Sequence, residues 1–506
     1  MEKGVESWRV SYYGIYMSYP KKRLALEITN ARMADKVFFN SFKFFIFFPI
    51  VFALYYAIPC KCIKIRNIVL LVSSYIFYMN WKPAYALVLL ETTAITYFLA
   101  LYIEKKHKLS TGVITLITLI IVLPLIIFKY YNFINSTLSG MLNMLGMSFH
   151  LQGLNIAIPI GISFFTFQTL GYVFDVYYKK EKAEHNFLDY ALFTSFFPQI
   201  ISGPISKSGS LLPQIKNNTK PFNAIKATTG MKLFLWGMFM KVVVADRLGI
   251  YVDFVYSSFM HQTGLTCLFA SILYTIQIYS DFGGYSLMAI GVGKVLGFDI
   301  INNFNRPYFS VSITDFWRRW HISLSTWLKD YVYIPLGGNR CSKLRCYNNI
   351  FITFLVSGIW HGANWTFIIW GILHGIAQIV EKFWGIQKCT YGGWIKVFRI
   401  VITFIIVNFA WIFFRLPTLK GALQVINRVF TDTSFHIYWD KATLTYGLGS
   451  VIILFINDYF LEFYPNKILL FNNRHTYVRW SAYLAVLFAI LLFGVLNTGN
   501  FIYASF

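Results

Sequence analysis

Stretches of apolar residues about as long as a bilayer is thick recur along this chain from one end to the other. They cover 41–59, 66–80, 84–103, 111–131, 156–177, 231–250, 265–280, 396–414, 444–463 and 480–497. A helix of about 20 apolar residues crosses the hydrocarbon core, and fewer suffice where the bilayer thins or flanking side chains snorkel. Three further stretches, 284–298, 348–359 and 364–381, are apolar but shorter or broken by glycine. Such a chain is predicted to be all-α, a polytopic integral membrane protein with about 10–12 transmembrane helices. Only 13% of its residues are charged, against about 25% in a soluble domain, so its surface is unsuited to water. No polar segment is long enough for a separate soluble domain, and residues 33–506 are expected to form one membrane domain.

The remaining charges orient it. The net charge is +24, but Lys and Arg lie between the apolar runs and form no basic face. That excludes nucleic acid as a partner and fits the excess of cations in cytoplasmic loops. Lys61, Lys64 and Arg66 follow the first run, Lys105, Lys106 and Lys108 the third, and Lys179 and Lys180 the fifth. These loops are expected to face the cytoplasm. Loops 132–155 and 251–264, without Lys or Arg, and the uncharged tail 498–506 are expected outside. Residues 1–32 are polar, carry Lys21, Lys22 and Arg23, and lack the apolar core of a signal peptide. The expectation is a mis-called start or a cytoplasmic tail, with Met33 the more natural beginning.

Two segments fit neither loop nor span. Residues 187–205 are apolar but flanked by basic residues on both sides, and Phe197-Pro198 and Gly203-Pro204 interrupt any helix there. Residues 302–346 are too polar to cross, yet carry Trp317, Trp320, Trp327, Tyr331 and Tyr333. Both are expected to be re-entrant or interfacial. No internal repeat is evident, which weighs against a transporter built of two related halves. Cys60 and Cys62, like Cys341 and Cys346, lack the C-x₂-C spacing of a zinc site. With Cys267 and Cys389 isolated, all six read as reduced thiols, and no metal is expected.

Most histidines, His107, His185, His261, His436 and His475 among them, lie in loops and read as solvated. His361 does not. It ends an apolar run that leads from Asn349, and these residues make about 18 Å of helix against a core of about 30 Å. A run starting at the cytoplasmic face therefore leaves His361 inside the membrane, where an ionisable group is a functional hypothesis by default. Buried there, it stays neutral and able to accept a proton; a structural hydrogen bond is the competing explanation. His321 sits beside Arg318, Arg319 and Trp320, whose cations either snorkel to headgroups or bind a phosphate. His374 reads as a helix-packing residue. Asp281, before Gly283-Gly284, either caps a following helix or lines a polar cavity. No phosphate-binding loop, H-E-x-x-H or G-x-S-x-G is present, and Gly291-Val292-Gly293 lacks the third glycine of a dinucleotide fingerprint.

Ordered motifs across 280–375 add a resemblance. They are Ser280-Asp281-Phe282-Gly283-Gly284-Tyr285-Ser286, Asn303-Phe304 with Arg306-Pro307-Tyr308, and Phe316-Trp317-Arg318-Arg319-Trp320-His321-Ile322-Ser323-Leu324-Ser325. Asp330 to Arg340 and Ser357-Gly358-Ile359-Trp360-His361-Gly362 complete the series. Together they resemble the membrane-bound O-acyltransferase family, in the bacterial branch of alginate O-acetylases and teichoic acid D-alanyl transferases. Pro159 to Gln168, Phe197-Pro198 with Gly203-Pro204, Phe409 to Arg415 and Phe501-Ile502-Tyr503 extend the likeness from about residue 37 to the end. The ending Tyr503-Ala504-Ser505-Phe506 departs from the family's aromatic-rich pattern.

The resemblance implies a shell of helices around a thin core pierced by a tunnel, in the cell's inner or plasma membrane. It implies His361 as the catalytic histidine and His321 as a second, on the cytoplasmic-facing side. Asp281, Arg318, Arg319, Trp320, Ser323, Trp360 and Asn364 become substrate or tunnel candidates, with Trp360 and Trp365 walling the site from lipid. The implied donor is a cytoplasmic thioester, acetyl-CoA or an acylated carrier, with no tightly bound cofactor. The implied partners are the lipid bilayer, an extracellular polysaccharide and an extracytoplasmic acetyltransferase or esterase-like protein. A D-alanyl transferase remains open on the sequence alone, as does a lipid or polysaccharide transporter without chemistry.

Overall fold

The computed structural model describes residues 37–106, 109–147, 151–217, 219, 221–386, 392–464, 470–496 and 502. The extension 1–32, His107, Cys389, Phe501 and the ending 503–506 lie outside them. Among the described residues the fold is helical, with no strand. The first half holds α1 (Phe42–Ala57), α2 (Ile63–Met79), α3 (Tyr85–Lys105), α4 (Thr111–Leu125), α5 (Tyr131–Met144), α6 (Ile162–Tyr177), α7 (Phe187–Ser195), α8 (Ser208–Asn217), α9 (Ala224–Met238) and α10 (Asp246–Ser257). The second holds α11 (Gly264–Val295), α12 (Ile313–Arg319), α13 (Ile322–Leu328), α14 (Lys343–His361), α15 (Trp365–Phe383), α16 (Gly393–Arg415), α17 (Leu419–Thr431), α18 (Lys441–Phe463) and α19 (Thr476–Phe493). Six helical stretches among the described residues are long and apolar enough to cross a membrane: α3, 111–144, α11, α16, α18 and α19.

The predicted runs fall on helices, but three boundaries differ. Residues 265–280 and 284–298 do not form two elements. One helix, α11, passes through Gly283-Gly284 for 32 residues, so Asp281 caps nothing. Half of the expected outer loop 132–155 is helical, because a π-helical segment, Ile126–Tyr130, carries α4 straight into α5. The stretch 156–177 is helical only from Ile162. Gly161 takes φ 74° before it, and a Cβ at that position would lie 2.1 Å from the Ile200 carbonyl oxygen.

Glycine explains why α11 stays whole. Helices in lipid gain nothing from hiding apolar side chains from one another, so close backbone approach at small residues holds them together. On α9 and α11, Gly230 meets Gly291 and Gly237 meets Gly284, in antiparallel order. A Cβ at any of the four would fall 2.5–2.6 Å from the opposing glycine's carbonyl oxygen. Near this seam Lys241, in a second π-helical segment (Phe239–Ala245), lies 2.7 Å from Asp246 and 2.6 Å from Asp281, all three buried. Asp281 also accepts the Ile502 backbone N–H at 2.8 Å.

The re-entrant expectation for 187–205 has a counterpart. After α7 the chain loses helical form and residues 196–206 are all buried. Their backbone is tied to protein: Phe197 N–H donates to Ser74 Oγ and Ile205 N–H to Ser323 Oγ, both at 3.1 Å. Irregular backbone at membrane depth requires that kind of internal pairing.

Candidate active site

Ser342 opens α14 by accepting the Arg345 N–H. The first two turns are polar, and the apolar part begins at Ile350. His361 is the last helical residue. Gly362 then extends (φ −167°), and a Cβ there would strike the Phe367 ring at 2.2 Å. The chain restarts in α15, where Asn364 Oδ1 accepts the Thr366 N–H at 3.1 Å and Asn364 Nδ2 donates to the Pro417 carbonyl. α14 and α15 are pressed together at Gly358 and Gly371, where a Cβ on Gly371 would come within 2.4 Å of the Phe354 carbonyl oxygen. Two helices in such contact fix the direction in which His361 projects.

His361 is 3% exposed. Ring centroids of Trp360 and Trp370 lie 4.8 Å away and that of Phe414 5.2 Å. Trp411 stacks on Trp370 at 5.5 Å. The wall is therefore built by Trp360, Trp370, Trp411 and Phe414. Trp365, expected to share that task, is 51% exposed and rests on Phe133 at the start of α15.

His321 joins α12 to α13 at φ 42°, ψ 55° and is fully buried. Its Nδ1 lies 3.1 Å from Asn303 Oδ1. The same oxygen accepts the Ser323 N–H at 3.1 Å and the Ser323 hydroxyl at 2.9 Å. A backbone N–H can only donate, so the amide oxygen is correctly placed there. His321 Nδ1 must then carry a hydrogen, leaving Nε2 as the lone-pair nitrogen. The Trp360 ring stands 5.9 Å from His321, so His321, Trp360 and His361 follow one another through the core.

A cavity of 430 Å³ opens among α12, α13, α14 and α15. Arg318, Lys329 and Lys382 line it together with Tyr333, Thr353 and Ser357, and no carboxylate among the described residues does. Ser357 is about one helical turn before His361. The two arginines part company here: Arg318 faces the cavity, whereas Arg319 is bound to Asp315 at 3.0 Å and Glu462 at 2.8 Å. Trp320 is buried against Phe304, Phe316 and Trp411. His374 takes the Trp317 indole N–H at 3.3 Å. Asp281 belongs to the Lys241 cluster and does not line this cavity.

Lys129 escaped the sequence reading. Its Nζ lies 2.9 Å from the Trp360 carbonyl oxygen, 3.0 Å from that of His361 and 3.2 Å from Ser163 Oγ. A lysine inside an apolar run was signal enough, but at the margin of 111–131 it looked like the end of a span.

The structure thus sets a buried histidine one helical turn from a cavity lined by three cationic side chains. Residues 87–423 match the family model of MBOAT, the membrane-bound O-acyltransferase family. The chain belongs to that family. It is 38% identical over 427 residues to a Pseudomonas aeruginosa protein named probable alginate O-acetylase, covering 83% of this chain and 80% of the relative. It is 36% identical over 438 residues to the peptidoglycan O-acetyltransferase of Helicobacter pylori, covering 80% and 81%. A teichoic acid D-alanyltransferase of Bacillus subtilis is 28% identical over 330 residues, covering 62% and 80%. This member of the family is thus an acyltransferase, and its apolar helices place it in the cell membrane.

Proposed function

We propose that this acyltransferase passes an acetyl group from a cytoplasmic thioester to a hydroxyl of a polysaccharide or cell-wall polymer on the outer side. The observation that carries the reading is His361, buried at the end of α14 one turn beyond a cavity that gathers three cations and, among the described residues, no carboxylate. Arg318, Lys329 and Lys382 suit the phosphates of acetyl-CoA or of a carrier's prosthetic arm. The thioester end then lies toward Ser357 and His361. The acceptor hydroxyl gives its proton to the His361 imidazole as its oxygen bonds to the thioester carbonyl carbon. The carbon–sulfur bond breaks, and the imidazolium returns the proton to the departing thiolate. General base catalysis contributes about 10²–10⁴-fold, and holding both substrates end to end adds an entropic part. His321, fixed by Asn303, orders the inner side of the site.

The relatives' names favour acetyl over D-alanyl as the group transferred, because the acetylases are the more similar and cover more of the chain. A transporter without chemistry does not fit a member of this family. Delivery to a polymer calls for an extracytoplasmic acetyltransferase or esterase-like partner. His361→Ala is expected to abolish polymer O-acetylation while the protein still inserts. Wild-type acetylation in that variant would end the proposal. Supplying labelled acetyl-CoA and, separately, D-alanyl carrier to membranes separates the two donors by which label reaches polymer.

A further inference from the structure

We propose that Lys129 is a positioning residue for this reaction, fastening the end of α14 so that the His361 ring is held in its working orientation. The inference rests on reading His361 as the base. The last carbonyls of a helix have no partner within it, and in α14 these are the carbonyls beside the candidate base. Three in succession are taken up from one neighbouring element. Tyr130 donates its hydroxyl to the Ile359 carbonyl at 2.6 Å. Lys129 donates to the carbonyls of Trp360 and His361, and its cation suits the negative end of the helix.

Two consecutive side chains reach one helix end because they sit in a π-helical segment, Ile126–Tyr130. In an α-helix neighbours diverge by about 100° around the axis; the wider π turn brings them closer together. Such segments recur at functional sites. Pro124, just before it, removes a backbone donor and loosens the ladder. The third contact of Lys129, Ser163 Oγ, lies at the start of α6. One side chain thus ties the π-helical segment, α6 and α14 together.

The geometry also decides what kind of role this is. An ammonium has three N–H groups, and Lys129 has three acceptors at 2.9, 3.0 and 3.2 Å. None is left for a substrate oxygen, so Lys129 acts through His361 and touches no reacting atom. A misplacement of about 1 Å in a catalytic group can cost about 10²-fold in rate, and that cost falls on turnover and spares donor binding.

The test uses inside-out membrane vesicles containing the full chain, with labelled acetyl-CoA titrated as donor and label in the cell's own polymer as readout. Lys129→Met is expected to lower kcat by about 10²-fold while the KM for acetyl-CoA stays within about twofold, as for loss of a transition-state interaction. Lys129→Arg should recover a large part of kcat. An unchanged kcat in Lys129→Met, or a rise in KM with kcat intact, overturns the inference. Should that variant fail to insert, Tyr130→Phe removes the hydroxyl that holds Ile359, with a longer contact to Trp360, and leaves Lys129 in place; it is expected to lower kcat several-fold at constant KM, and an unchanged kcat there overturns it equally. His361→Ala runs alongside. Activity in that variant removes the base reading, whereas an inactive His361→Ala beside a fully active Lys129→Met removes this inference alone.

Discussion

A histidine at φ 42° occupies a region that costs a non-glycine residue about 1–3 kcal/mol, so something must hold His321 there. Asn303 does, with one oxygen that serves the His321 ring, the Ser323 backbone and the Ser323 hydroxyl. Asn303→Leu leaves three buried donors without that acceptor, each at a cost of about 1–3 kcal/mol. The expected outcome is a clear fall in thermal stability in detergent together with loss of acyl transfer. A stable, fully active variant would show that the His321 conformation needs no such support. His361 stood out in the sequence because a short, uncharged run leads up to an ionisable ring, and the structure buries that residue. Asn303 was quoted only as part of a motif, since nothing in a sequence tells which of several asparagines meets a histidine eighteen positions away. Lys129 was missed because averaged hydropathy absorbs a single lysine, and its two backbone partners lie 231 and 232 residues further on.

At the scale of elements, the apolar runs were readable and their joints were not. Gly283-Gly284 looks like a break in one dimension. In three it is a contact, with Gly284 against the Gly237 backbone, and the helix needs both neighbours to declare that. The same device operates where it bears on chemistry. Gly358 and Gly371 let α14 and α15 touch, and a side chain on Gly371 would push against the Phe354 carbonyl. Gly371→Val is expected to cost about 1–3 kcal/mol through overpacking and, by displacing the end of α14, to reduce turnover far more than Gly449→Val, a glycine with open space around it. Equal activity in the two variants would mean that the helix pair does not set the histidine's position. The polar segment 302–346, which hydropathy could describe only as interfacial, resolves into two short helices, α12 and α13, and a π-helical segment. They bring Arg318 and Lys329 to one cavity.

For the molecule as a whole, membrane residence followed from charge poverty and from where the cations lie, and the structure adds a division of labour. Long helices such as α3, α16, α18 and α19 face outward with much of their apolar surface. The segments that cannot cross, residues 196–206, α12, α13 and the end of α14, are packed inside. Beyond the cavity, the core is closed around His361 by the cluster of Trp360, Trp370, Trp411 and Phe414. A barrier made of a few rings has a second duty, because a bilayer sustains about 2.3 kcal/mol per elementary charge for each 100 mV. The aromatic cluster is then expected to act as an electrical seal as well. Trp360→Ala is expected to make proteoliposomes leak protons under an imposed voltage, measured with an internal pH dye, where the intact chain stays tight. On that outcome, the rings around His361 serve the membrane's proton gradient as well as the acyl transfer.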